Sequence, residues 1–585
     1  MIDKHPDGHA ATAGYRPLWH QLRERRGSDA AALVLDDPGL RRRVTWRELA
    51  DDVEMLALGL KDAGVRPGQR VGVSIPPGVE LTLSLFAVLR LGGVAVLADP
   101  RLGARGLDRA LRGAELDHLL GTPVAARAAR VRGWTANRYL VRTPFDRVIT
   151  ANERRLLGLR GVFLEILDHG RELVAGGVAL PEEPDPDDDA LVVFQAAGSL
   201  RPNGVVYTHR TLAAMCEATT QVVPLDHDHG LVAGFAPAAL LALAVGAPAV
   251  IPGTGRPGTL TGSQLARAAR RVPSPALAVS PAGLASVVAT AGRLAPDERD
   301  ALTRLRRVVV GGAPVTAGEL ARAARLLGEP EMHAPYGMAG LLPLTDLTLP
   351  ELRAATASSA DGAGGGTCVG RPVPGARVGI VPLDHLGAPV GDAVSTPGVT
   401  GEVVGTAPHL RDRYLLPAAE QARAQTLVGW HRTGDLGHLD AEGRLWLEGR
   451  VGHEITTENG VVTPIALEIA LRAIPGVTAA CVVGVGPRGA QDVVAVLETD
   501  PRRHRGARAK ASRAPRGLTA AARAAVAGAV AAEAAVAGSG PVPVRLDAVL
   551  RMPRIPVDVR YGAQVQRAAV AHRARVVLGR TTLGE

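Results

Sequence analysis

Val192-Val-Phe-Gln-Ala-Ala-Gly-Ser-Leu-Arg-Pro-Asn-Gly-Val-Val-Tyr-Thr-His209 decides how the chain is read. An apolar run, Leu191 to Phe194, enters this stretch, and another, Val205 to Tyr207, leaves it. A turn of small residues stands between them. The pattern predicts strand, tight loop, strand. The acidic run Asp185 to Asp189 marks an exposed lead-in. A loop of Gly, Ser and Ala between buried strands lets backbone N–H groups approach an anion, commonly a phosphate. Gly198, Ser199 and Gly204 are the candidate donors in it.

Working outward, helix and strand patterns alternate. Thr45-Trp-Arg-Glu48 is a capping box, and Leu49, Val53, Leu56 and Leu60 follow on one helix face, stopped at Gly64. Pro67-Gly68 turns the chain into a strand, residues 71–75. A helix over 79–91 leads through Gly92-Gly93 to a strand at 94–97. This alternation predicts an α/β protein with helices on the faces of its sheets. Residues 100–185 read as helical and Arg-rich. His209 to Gln221 reads as a helix, and 231–251, 277–281 and 306–310 read as short buried strands. Val308-Val-Val-Gly-Gly-Ala-Pro314 runs from a strand into a small-residue turn suited to close ligand approach. His333-Ala-Pro-Tyr-Gly-Met-Ala-Gly340 is another such turn. From Val369 to Trp446 the pattern alternates as an antiparallel β subdomain, with a hairpin turning at Asp440-Ala-Glu-Gly443. A helix over 464–474, strands over 477–485 and 491–497, an Ala-rich helix over 518–536 and a strand over 542–550 make a small α+β lid. The expected division is a large N-terminal domain, residues 1–449, and the lid, residues 450–585.

The chain has 585 residues, too many for one ordinary core. Apolar residues make up 46%, enough to build cores, but aromatics are only 3%, so Leu, Val and Ala must fill them. The formal charge is +9. It comes from scattered Arg, dense only in a basic insert at 500–516, and this weighs against a nucleic-acid partner. The insert's composition suits a solvated loop, with phosphates or an acidic carrier protein as the alternative partner. Cys216, Cys368 and Cys481 lack metal-ligand spacing and fit core packing in a reducing, cytoplasmic setting. The polar N-terminus predicts no signal peptide. Pro237, Gly246 and Pro248 interrupt the longest apolar run and weigh against a membrane span. The only lysines are Lys4, Lys61 and Lys510.

Several of these stretches occur in an order that resembles the adenylate-forming (AMP-binding, acyl-CoA synthetase-like) superfamily. Gln195-Ala-Ala-Gly-Ser-Leu-Arg-Pro-Asn-Gly-Val205 resembles its phosphate loop, T-S-G-S-T-G-x-P-K-G-V. "WHRTGDLGHLDAEGRLWLEGR", "CVGRPVPGARVGIVP" and "IPVDVRYGAQV" look most like the olefin β-lactone synthetases and related fatty-acid ligases. The resemblance implies two steps. An acid attacks the α-phosphate of ATP to give an acyl-adenylate, which a thiol or the substrate's own β-hydroxyl then captures. It also implies Mg²⁺ and prearranged positive groups at the phosphates.

The nucleotide-shaping positions survive. Tyr336 matches the adenine-stacking tyrosine and Gly337 follows it. Asp435 matches the ribose-binding carboxylate and Arg450 the arginine beside the interdomain hinge. Gly311, Gly312 and Ala313 match the turn lining the adenine and acyl pockets. The catalytic charges do not survive. The loop lysine is Asn203, the magnesium-binding glutamate is Gly340, and the tail lysine is Gln564. Losing one prearranged transition-state contact costs on the order of 10²–10³ in rate. The expectation is therefore a homologue with a nucleotide and acyl pocket for a small acyl or β-hydroxy acid, a weakened Mg²⁺ site and impaired adenylation, acting alone or with a partner enzyme or acyl carrier. The alternative is a working ligase or β-lactone synthetase that uses substitutes such as Arg201, Lys510, Arg560 or Arg567.

Overall fold

A computed structural model describes residues 15–37, 40–140, 161–195, 204–235, 237–253, 259–358, 365–411, 413–415, 429–499, 511–537, 544–558 and 564–579. The chain divides into two compact units. The first comprises Met1–Pro343 and Ala407–Thr426, and the second Leu344–Thr406 and Leu427–Glu585.

The first unit holds two helix-flanked sheets. In the eight-stranded sheet, Asp189–Phe194, Val94–Ala98, Arg70–Ser74, His118–Gly121, Asn137–Leu140 and Gly161–Val162 run parallel in that order. Helices Val79–Arg90, Gly103–Gly113 and Pro123–Arg132 lie between successive strands of the chain, as parallel pairing requires. Gly204–Thr208 returns antiparallel beside Asp189–Phe194, with Gly204 opposite Phe194, so the two strands of the opening stretch do flank its loop. Arg413–Leu415 adds an outer antiparallel strand, with Tyr414 opposite Val205.

The second sheet is parallel through Glu331–His333, Arg307–Val310, Ala276–Val279, Leu231–Ala233, Ala249–Pro252 and Ala31–Asp37, and ends in an antiparallel hairpin to Leu40–Thr45. Thr45 caps helix Trp46–Asp62 in a complete capping box, and Leu49, Val53, Leu56 and Leu60 are buried on it.

In the second unit an antiparallel sheet runs Leu341–Asp346, Thr367–Pro372, Leu445–Arg450, His431–Leu439, Gly401–Thr406, Arg377–Pro382; the chain passes from the first unit into the second along its first strand. A separate four-stranded sheet is built on Val477–Val485, Asp492–Thr499 and Ala548–Met552. Its strands alternate with period two. Val482, Ala495 and Leu497 pack with Leu467, Leu471, Ala522 and Val526, while Cys481, Val483, Val494 and Val496 pack with Val570 and Ala574 on helix Arg567–Val577.

Two expectations are corrected. Residues 100–185 are not simply helical, because they contribute three short parallel strands. An interior strand of four residues such as His118–Gly121 has no room to show a period. The run 231–251 is two strands separated by helix Pro237–Ala244. That helix is apolar nearly all round, so periodicity does not separate it from a buried strand.

Candidate functional site

In the first unit, the strands Arg307–Val310 and Glu331–His333 are parallel neighbours, with Val309 opposite His333. Their carboxyl ends therefore open on one sheet edge, where ligands of open α/β sheets gather. Gly311, Gly312 and Ala313 leave the first strand there, and Tyr336 and Gly337 follow the second. Gly312 has φ +96° and Ala313 is exposed. No atom lies within 4 Å of a Cβ built on Gly311 or Gly312, so the turn is open. Tyr336 is half-buried on the short strand Tyr336–Met338. At Gly337 a Cβ would fall 2.6 Å from the Leu341 carbonyl oxygen, so the backbone packs too closely for a side chain.

Gly340 is buried, with φ +94°. Its N–H donates to the Tyr207 hydroxyl at 2.6 Å, and its carbonyl accepts from the Arg411 N–H at 2.7 Å. A Cβ on Gly340 would lie 2.7 Å from Arg411 Cδ. Arg411 is only 6% exposed, and its guanidinium carbon stands 3.8 Å from the centroid of the Tyr414 ring. Burial raises the pKa of both Tyr207 and Tyr414, and the nearby Arg411 charge opposes the rise. This tyrosine–arginine cluster has no sequence motif, and nothing in the linear order links Tyr207, Gly340 and Arg411.

In the second unit, Asp435 and Arg450 come together. They are cross-strand partners in the hairpin of His431–Leu439 and Leu445–Arg450, and Arg450 Nε donates to Asp435 Oδ1 at 2.9 Å. Gly434, at φ +72°, shapes the turn in the strand. The Asp435 N–H donates to Thr433 Oγ1, which in turn donates to the Val403 carbonyl. The Asp435 side chain is 16% exposed and that of Arg450 40%, so the pair is reachable from solvent. Beyond it, burial pushes His453 down to about 4, with the charges of Arg567 and Arg450 adding to the effect. Glu454 is buried and accepts from Gly452 N–H and from Arg488.

The hairpin also carries a buried carboxylate that sequence reading missed. Glu448 is 2% exposed and accepts from the hydroxyls of Thr400 and Thr463, with His438 Nδ1 at 2.5 Å. Trp446 stacks on His438 and donates to Asp440.

The remaining positions separate as follows. Gly204 is buried, and a Cβ there would meet the Phe194 ring at 2.8 Å. Gly198, Ser199, Arg201, Asn203, Lys510 and Arg560 lie outside the described residues. Gln564 pairs with Asp558 through the backbone of a two-residue strand. Arg567 is not a spare cation. Nη1 and Nη2 donate to the two oxygens of Glu468 at 2.6 and 2.8 Å, and Nη1 also donates to the Val482 carbonyl. Burial pushes the thiols of Cys216 and Cys481 up to about 12 and that of Cys368 up to about 11, so none is a ready nucleophile at neutral pH. Asp226, His227 and Asp228 place their ligand atoms within 4.8 Å of one another, but all three are exposed on a turn. No helix among the described residues is long and apolar enough to cross a membrane.

The AMP-binding enzyme family matches residues 19–415. The chain belongs to that family. It is 30% identical over 544 residues to the olefin beta-lactone synthetase of Xanthomonas campestris pv. campestris, covering 90% of each chain. It is 31% identical over 547 residues to the olefin beta-lactone synthetase of Stenotrophomonas maltophilia, again covering 90% of each. Among solved structures, the amide bond synthetase McbA of Marinactinospora thermotolerans superposes with a TM-score of 0.69 at 22% identity, covering 95% of this chain and 99% of that one. The anthranilate CoA ligase AuaEII in complex with anthranoyl-AMP gives 0.70 at 17%, covering 97% and 98%. The two structural likenesses establish the fold of this AMP-binding enzyme homologue.

Among the described residues, the magnesium site that the resemblance implies finds no side-chain donor at the position given to its carboxylate. The position of its carboxylate, Gly340, offers only backbone, and the Arg411 stem fills the room a side chain would need. Arginine cannot coordinate a cation.

Proposed function

We propose that this chain binds the AMP moiety of ATP and of an acyl-adenylate, with a β-hydroxy fatty acid as the acyl partner. We further propose that it forms the adenylate far more slowly than a homologue with a full set of phosphate-side groups. The observation that carries the reading is the contrast at the two carboxylate positions. Asp435 is present, ordered by Thr433 and Arg450, and reachable from solvent. At 340 a carboxylate is absent and its room is taken. The likeness to olefin beta-lactone synthetases over 90% of the chain supports a β-hydroxy acid as substrate and an internal hydroxyl as acceptor. ATP supplies the adenylate, and Tyr336, Gly312 and Ala313 shape the base and acyl sides of the pocket.

Attack on the α-phosphate builds charge that a prearranged electrostatic site must stabilise. Removing the metal-holding carboxylate therefore acts on the rate of that step more than on nucleoside binding. The test is pyrophosphate exchange with β-hydroxy fatty acids, beside calorimetric titration with a β-hydroxyacyl sulfamoyl-adenosine. Tight binding of the sulfamoyl compound with slow exchange is the expected result. Exchange at ordinary enzyme rates removes the impaired reading and leaves a working ligase.

A further inference from the structure

The cluster around Gly340 is more than a lost metal site, because a specific cation has been built into it. Residue 340 has a backbone with φ +94° that residues with a side chain rarely adopt. The Cβ, Cγ and Cδ of Arg411 all stand within 3.1 Å of where its Cβ would be. Glycine and arginine are thus fitted to each other, and the Arg411 N–H to Gly340 carbonyl bond ties their backbones together. Two tyrosines complete the mount. Tyr414 lies under the guanidinium, and Tyr207 holds the Gly340 N–H. Both belong to paired strands. Tyr207 is on Gly204–Thr208, the strand by which the chain leaves the loop that resembles a phosphate loop, and Tyr414 is opposite Val205 of that strand. The guanidinium stays protonated at any pH the protein meets. In a buried site its field is screened far less than in water.

We infer that Arg411 is a resident cation that takes over the electrostatic task of a divalent metal, so that this chain binds a nucleoside triphosphate without Mg²⁺. The inference rests on the nucleotide-binding reading above and deepens it. Arginine supplies charge and hydrogen-bond donors to phosphate. It does not bind several oxygens in the tight octahedral shell of Mg²⁺. Retained binding and slow chemistry thus have one cause.

The test is calorimetry on the full chain with ATP and with the sulfamoyl-adenosine, each in excess EDTA and in excess Mg²⁺. The ATP affinities in the two buffers are expected to agree within about twofold. Arg411→Met is expected to weaken ATP by roughly 10- to 100-fold, the worth of a contact to a charged group. It should weaken the sulfamoyl compound, which lacks the β- and γ-phosphates, by no more than about threefold. Arg411 is buried, so circular dichroism and retained sulfamoyl binding serve as the folding check on the variant. The metal dependence of the unaltered chain tests the inference without any substitution. A tenfold or larger gain in ATP affinity from Mg²⁺, or an Arg411→Met variant that binds ATP as well as the parent, overturns it. If the sulfamoyl compound itself fails to bind the unaltered chain, the nucleotide-binding reading falls and takes the inference with it. If that compound binds and ATP still requires Mg²⁺, the inference alone falls.

Discussion

Two arginines stand beside positions where the family resemblance places a carboxylate, and they do so in opposite ways. Arg450 meets a carboxylate that is still present, donating to Asp435 at 2.9 Å across a hairpin. Arg411 occupies the room that a side chain at 340 would need. The first pair is open to water and keeps the balance of charge the motif carries. The second sets a buried arginine stem where a side chain at 340 would need room. The backbone at Gly340, with φ +94°, suits a glycine rather than a residue with a side chain. A carboxylate introduced at 340 by a single substitution would meet both that φ angle and the neighbouring Arg411 stem.

Arg567 sharpens this comparison most, since it is an arginine whose work is structural. Its two-pronged bond to Glu468 is largely buried. Arg567→Ala should destabilise the C-terminal sheet and its helix by about 3–5 kcal/mol, the usual result of leaving one member of a buried pair. Denaturant unfolding followed by circular dichroism measures it. A variant as stable as the parent but unable to bind ATP would instead make Arg567 a phosphate ligand. Gly340→Glu comes next. Backbone strain and overlap with Arg411 predict a loss of about 2–4 kcal/mol, with no magnesium-dependent exchange gained. The double variant with Arg411→Ala should recover part of that stability. A stable Gly340→Glu protein with magnesium-dependent exchange would show that the site is merely vacant.

A buried histidine tests how the first unit treats charge. His209 is fully buried against the edge of Trp19, and burial pushes it down to about 4. Above its ordinary value of 6.5 it is neutral whether the chain is folded or unfolded, and its stabilising contribution is complete. Between 6.5 and about 4 the unfolded chain takes up a proton that the folded chain refuses, so stability falls as pH falls. The loss approaches roughly 3 kcal/mol near pH 4. Denaturant midpoints across that range should show the decline, and His209→Gln should flatten it. A parent protein with pH-independent midpoints would contradict the assignment. The smallest effect on the fold is expected at the open pair. Asp435→Asn should change stability by less than about 1 kcal/mol while weakening the sulfamoyl-adenosine by roughly tenfold. Unchanged affinity would reduce Asp435 to a hairpin residue and remove one side of the comparison.

Much of the architecture follows from the residues alone. The capping box at Thr45 and Glu48, the strands on either side of the loop, and the hairpin joining Asp435 to Arg450 all follow from local rules that act within a few residues. The missed strands at His118–Gly121 and Asn137–Leu140 are short interior members of a parallel sheet, and such strands are recognised by their neighbours rather than by their own pattern. That residue 340 is a glycine was visible as a letter. The arginine packed against it was not.

The sequence by itself determined the family frame, the order of elements, and which charged positions are absent, because these depend on residue identity and short-range spacing. Only the tertiary structure decided that Arg567 is bound to Glu468, that Glu448 is buried among two threonines and a histidine, and that Arg411 fills the space beside Gly340. Each of those depends on residues from distant parts of the chain packing against one another. Gly340 lies 133 residues after Tyr207, which accepts its N–H, and that separation leaves no local trace to read.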